Sequence, residues 1–289
     1  MGFIFRNWII ILFIYLFTIS CNKSSDVTLK LKTPEKKLVI HGFISQEKVH
    51  IEIRSTVNPV KTSSNDELNG VTVFLYANDS LLFQLVQKSI YIFESPKTFK
   101  PINGVKYKIK ATATNYSNVE SEEQMLPLYI AFNKPSIKII DSNLTYKSYK
   151  FLLSYSFLDD KKDEAFYVVM KYNYWNGLKI EDTSSISRFN INPYICFNDI
   201  PFNGLMYKAS EEFSIDSMYQ YNFIDSIQLK LFSVSKAYYL FSKSLLDYEI
   251  SQSSAMYEQP IPVYSNIKNG YGIFFSCWID STYINPFKK

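Results

Sequence analysis

The sequence predicts a mostly-β protein, and three observations carry that prediction. Aromatic residues crowd the chain, with 23 Tyr and 23 Phe against only 8 Gly, and such side chains suit a pleated, half-buried surface. Several segments alternate with a period of two, as Val49, Ile51 and Ile53 do against His50, Glu52 and Arg54. Turn signals separate these segments at about eight to twelve residues, the spacing of an all-β sandwich or barrel.

Taken in order, residues 37–45 read as a first strand interrupted by Gly42, and residues 49–54 as the second. A polar loop over 58–69 leads to a strand at 71–76. Asn78-Asp79-Ser80 signals a turn before a strand at 81–86, and residues 89–94 and 106–112 follow as further strands. Short strands at this density over 37–126 predict a small β-sandwich of immunoglobulin or transthyretin type.

Met125-Leu126-Pro127 marks a boundary, beyond which residues 127–289 form a larger β-rich domain. Its strands are expected at 137–140, 149–157, 165–173, 227–232 and 270–279. Asp159, Asp160, Asp163 and Glu164, interrupted by Lys161 and Lys162, read as a solvated charged loop, and Asn203-Gly204 as a tight turn. One segment has helical spacing. From Ser235, a candidate N-cap, Tyr238, Phe241, Leu245 and Tyr248 recur at three- and four-residue intervals, predicting an amphipathic helix near 235–250 docked on the second domain. Asn and Gly residues over 265–272 read as architectural, with Gly270 and Gly272 letting the backbone bend or approach closely.

The first twenty residues point outside the cytoplasm. Arg6 is followed by an apolar run from Trp8 to Phe17, then Thr18-Ile19-Ser20, then Cys21 and a polar stretch. A basic start, a short apolar segment and a small residue before the cut make a secretory signal. A cysteine directly after it predicts a lipoprotein: residues 1–20 removed, Cys21 lipidated, and residues 21–36 a tether carrying Pro34. An uncleaved anchor or an ordinary cleavage nearby are the other readings, and all three export the chain. With 31 basic and 27 acidic side chains and no basic stripe, the sequence carries no nucleic-acid footprint.

The catalytic inventory is thin. His41 and His50 are the two histidines, and neither sits in a nucleophile context. No paired cysteines or His-x-x-x-His spacing offers a zinc site, no cofactor motif is present, and the charged loop lacks the glycine turn of a calcium loop. The reading is therefore not an enzyme, with no catalytic residue, metal or cofactor assigned. The remaining binding hint is aromatic. Tyr172 and Tyr174 share a strand face next to Trp175, and Tyr219 and Tyr221 form a second pair; all could stack on a sugar or peptide, or simply pack. Cys196 and Cys277 either pair as a disulfide or remain buried free thiols beside Phe197 and Trp278.

Several stretches also resemble one family. Residues 37–45 after the lipoprotein cysteine look like its opening strand, residues 196–207 like its mid-chain turn and residues 233–241 like its helix entry. The most specific is Pro-Val-Tyr-Ser-Asn-Ile-Lys-Asn-Gly-Tyr-Gly-Ile-Phe at 262–274. Together they are similar to the Bacteroidota outer-membrane lipoproteins grouped as domain of unknown function 4249. The resemblance implies no activity and no catalytic residues. It does imply an outer-membrane location and the company of a TonB-dependent receptor, hence a non-enzymatic accessory that binds the transporter, its cargo, or both. A stand-alone glycan- or peptide-binding lipoprotein is the alternative, and a carboxylate-based hydrolase the third reading.

Overall fold

The first strand and the last one lie side by side. In the computed structural model, which describes residues 35–56, 68–143, 148–161, 164–175, 178–180, 195–216, 226–253 and 261–287, β1 (Leu38–Ser45) hairpins onto β2 (Val49–Ser55). Then come β3 (Thr72–Ala77), β4 (Ser80–Gln84), β5 (Val86–Gln87), β6 (Ile92–Glu94), β7 (Lys106–Thr112), β8 (Val119–Ser121) and β9 (Gln124–Met125). The second half holds β10 (Ser136–Asn143), β11 (Ser148–Leu158), β12 (Phe166–Trp175), β13 (Leu178–Ile180), β14 (Phe197–Asn198), β15 (Met206–Asp216) and β16 (Ser226–Val234). The helix α1 (Lys236–Ser253), β17 (Ile267–Lys268) and β18 (Tyr271–Ile284) complete it. The protein is mostly β with one helix among the described residues, as the composition and periodicity predict.

These strands make three sheets. The largest runs β13-β12-β16-β18-β1-β2-β6-β5, with β14 beside β12; the others are β17-β8-β7-β3-β4, with β9 beside β7, and β10-β11-β15. Because β18 runs parallel to β1, with Phe43 opposite Phe275, a single sheet crosses the boundary expected at residue 126. Residues 36–289 accordingly form one compact unit.

The two faces of that sheet carry different cores. Leu38, Ile40, Ile51, Ile53 and Phe274 pack against Val73, Leu75, Tyr107 and Ile109 of the six-stranded sheet. On the same face farther along, Leu229 and Leu231 of β16 meet Leu153 and Phe157 of the three-stranded sheet. Alternation sends Ile273, Phe275 and Cys277 to the other face, where they share a surface with Phe166 and Val168 of the same sheet and Tyr238 and Phe241 of the helix cover them. The helix buries the first part of the predicted stripe: Tyr238 sits 4.4 Å from Phe275 between ring centroids, Phe241 is buried, and Leu245 packs beside them, while Tyr248 is only half-buried. His41 belongs to this packing as well, edge-on to Phe241 at 6.3 Å.

β18 is staggered between its neighbours, pairing with β1 over 271–277 and with β16 over 277–284. Its uncovered stretches of backbone still need partners, since a buried unpaired amide or carbonyl is costly. Side-chain amides supply them. Asn266 donates to the Phe274 carbonyl at 2.7 Å and accepts from its amide at 2.9 Å. Gln46 does the same for Ile279, at 2.8 and 3.2 Å.

Two turns carry out what their residues predict. Asn78 and Asp79 take φ of 45° and 66° between β3 and β4, the left-handed pair of a tight hairpin. Gly204 follows Asn203 at φ +70° and places its amide 2.7 Å from Asp159 Oδ2. The long strand Met206–Asp216 has no counterpart among the strands that the sequence predicts. Its Lys208, Ser210, Glu211 and Glu212 are exposed, so it lacks the apolar alternation by which strands are recognised.

Candidate functional site

Past β9 the chain crosses the face of β18 in an irregular run held by polar contacts. Ser276 Oγ donates to the Met125 carbonyl at 2.6 Å, and the Asp280 carboxylate accepts from the Phe132 amide at 2.9 Å and the Tyr129 hydroxyl at 3.2 Å. Tyr129 also packs on Trp278, with centroids 5.5 Å apart. Between this run, the start of β12 and the junction of β16 with α1 lies a cleft of about 520 Å³, within the range of small-molecule sites. Leu126, Pro127, Leu128 and Ile130 form one wall; Ala165, Phe166, Tyr167, Ser233, Val234, Ser235 and Lys236 form the other, with Asp160 and Glu164 at the rim. Met125 and Leu128 are half exposed, so the apolar wall continues onto the surface.

The back of the cleft is closely packed. Tyr167 is buried, and its hydroxyl donates to Asp159 Oδ1 at 2.5 Å while the Gly204 amide holds Oδ2. Burial first, and then the Asp159 hydrogen bond, push the Tyr167 hydroxyl far above its ordinary value, so it remains a donor. Phe157, Phe202, Phe197 and Tyr207 pack around it. Asp159 is thus a 4%-exposed anchor rather than part of a solvated loop. The charged run had concealed it, because the tyrosine and glycine that make its burial tolerable are distant or only paired by folding.

At the front, the helix start is open. Ser235 occupies the N-cap position, and its carbonyl accepts from Tyr238 at 3.0 Å and Tyr239 at 3.3 Å. Its Oγ, however, accepts from the Ser276 amide at 3.3 Å and not from the helix. No acidic side chain stands in the first turn. Lys236 Nζ instead reaches Glu164 at 2.9 Å.

The residues singled out from the sequence lie elsewhere. Cys21, Tyr219 and Tyr221 fall outside the described residues, as does Asp163. Tyr172 is 6% exposed within the helix-side core, its hydroxyl donating to Met170 Sδ at 3.3 Å; it has no free face to stack on a ligand. Tyr174 is half-buried, donates to Gln228 Oε1 at 2.9 Å and meets Tyr283 edge-on at 5.7 Å. Trp175 ends β12 opposite Leu178, and its side chain lies outside what is described. Cys196 and Cys277 are free thiols packed in one core cluster with Tyr238. Burial pushes Cys196 up to about 12 and Cys277 higher still, so both stay protonated. His50 binds Glu94 at 2.8 Å, sharing it with Lys48 at 2.6 Å, and stacks on Phe43.

Fold and cleft together define a layered, mostly-β protein with a small sheltered cavity at the meeting of its sheets and helix. By sequence the chain belongs to the family described as domain of unknown function DUF4249, whose family model matches residues 24–282. No curated protein matches it.

Proposed function

We propose that this is a lipid-anchored protein of the outer membrane that serves, without chemistry of its own, as an accessory to a TonB-dependent receptor. The cleft is the observation that carries the binding role. It combines a half-exposed apolar wall with a sheltered polar end, the arrangement by which small ligands are both desolvated and oriented. The side chains around it are committed to structure: Asp159 to Tyr167 and Gly204, and Glu164 to Lys236. Cys21 and the export signal before it support the anchor, and tethering near a receptor would make modest affinity sufficient.

The experiment is affinity purification of the full chain from solubilised outer membranes, beside a Cys21→Ala variant. The expected result is a co-purifying receptor with the parent chain, fatty-acid label on Cys21, and loss of both in the variant. An unlabelled parent recovered as a free monomer would overturn the proposal.

A further inference from the structure

The last strand is bordered on one side along only part of its length. β18 pairs with β1 over 271–277, while β16 accompanies it on the other side as far as Ile284. Along a strand, successive residues turn their backbone groups to opposite sides. Ser235, which follows β16, donates its amide to the Ser276 carbonyl, whereas Gln46, which follows β1, holds the amide and carbonyl of Ile279. Even-numbered residues of β18 therefore face β16, and odd-numbered ones face the β1 side. The next odd-numbered residues are Ser281 and Tyr283. Among the described residues no strand lies beside them on that side, and neither has the side-chain cap that Gln46 gives Ile279. Ser281 is exposed, and Tyr283 is 60% exposed.

An open strand edge is a template for one more strand. The surroundings restrict which strand fits. Trp278, with the half-exposed Tyr129 packed on it, stands on one face of this stretch, and Tyr283 on the other. Residues 278–284 carry one charge, Asp280, and its carboxylate already accepts from the Phe132 amide and the Tyr129 hydroxyl. Aromatic surface thus flanks the edge, which suits apolar side chains better than charged ones. From this we infer that the far end of β18 is a strand-addition site for an extended, uncharged segment of another protein. The segment lies in line beyond the end of β1. Its backbone bonds to Ser281 and Tyr283, and its side chains alternate between Tyr129 and Tyr283. The inference rests on this edge, and on neither the cleft nor a receptor.

Selection from a random heptapeptide library on the full chain in detergent supplies the probe, and fluorescence polarisation measures the selected peptides. Uncharged peptides with alternating apolar residues are expected. Ser281→Pro removes the outward amide and none of the bonds to β16, a position where a strand edge tolerates proline. The thermal midpoint should hold, while peptide affinity falls by about fivefold or more, at least the worth of one backbone hydrogen bond. Ser281→Ala keeps the amide and should bind as the parent does. Hydrogen exchange over 278–284 should slow when a selected peptide is bound. Should Ser281→Pro unfold, Tyr283→Pro, next to the end of the strand, makes the same test. Peptides that bind the proline variant as tightly as the parent would overturn the inference, as would a library that yields no binder. A parent chain that sediments as a dimer, and as a monomer after Ser281→Pro, would give the edge to a second copy and overturn the assignment to another protein.

Discussion

Replacing Gly272 by alanine should damage this fold more than any other single methyl group added at a described glycine. Gly272 has φ +106° and sits opposite Ile40 where β18 begins its parallel pairing with β1. A Cβ there would lie 1.9 Å from the Ile40 carbonyl oxygen, 2.8 Å from its carbon and 3.0 Å from its nitrogen. These are backbone atoms held by the ladder on both sides, so no rotamer change relieves the clash. Backbone strain of this kind costs about 1–3 kcal/mol, and forcing apart a packed strand pair about 1–3 kcal/mol more. A loss of about 2–6 kcal/mol is a large part of the 5–15 kcal/mol that holds a typical domain together. The control is Gly104, also at positive φ (+80°) but with no atom within 4 Å of its Cβ; alanine there should cost only the conformational part, about 1–3 kcal/mol. Equilibrium urea unfolding of the two variants, compared at equal slope, measures the difference. If Gly272→Ala lost no more than Gly104→Ala, the close approach of β18 to β1 would be refuted, and the shared sheet with it.

Two further outcomes follow from the titrating groups. Burial works against ionisation of Glu94, yet hydrogen bonds from Lys48 and His50 outweigh it and hold its carboxyl below the ordinary carboxylate value of 4.5. Its contribution to stability is therefore fully present above that value and lost as pH falls through the lower folded one. Glu94→Gln should flatten this acid limb in a thermal-midpoint series between about pH 5 and pH 2; an unchanged limb would remove Glu94 from the account. The thiols of Cys196 and Cys277, kept protonated by burial, should resist alkylation in the native protein and react fully in urea. Peptide mass spectrometry checks both positions, and a Cys196–Cys277 disulfide found before unfolding would contradict the free-thiol packing.

What the sequence determined by itself was local. Val49 to Arg54 alternates because one side of β2 is buried, Asn78-Asp79 turns because those residues tolerate positive φ, and Tyr238, Phe241 and Leu245 share a face because 3.6 residues make a turn. Each is a relation among neighbours, and neighbours are what a sequence displays. The family signature at 262–274 was legible in the same way, and the structure explains its content through Asn266 serving as a substitute strand for Phe274 and Gly272 admitting Ile40. Tertiary structure decided the rest. Only folding sets Leu38–Ser45 beside Tyr271–Ile284, buries Asp159 under Tyr167, and turns Tyr172 into the core rather than outward to a ligand. The cleft belongs to this second class. Ser233 reads as an ordinary serine at the end of a strand, and becomes conspicuous only when its hydroxyl is found enclosed without a partner beside the start of a helix. The physical reason is that burial and hydrogen-bond satisfaction depend on residues far apart along the chain, whose approach is set by the packing of whole sheets.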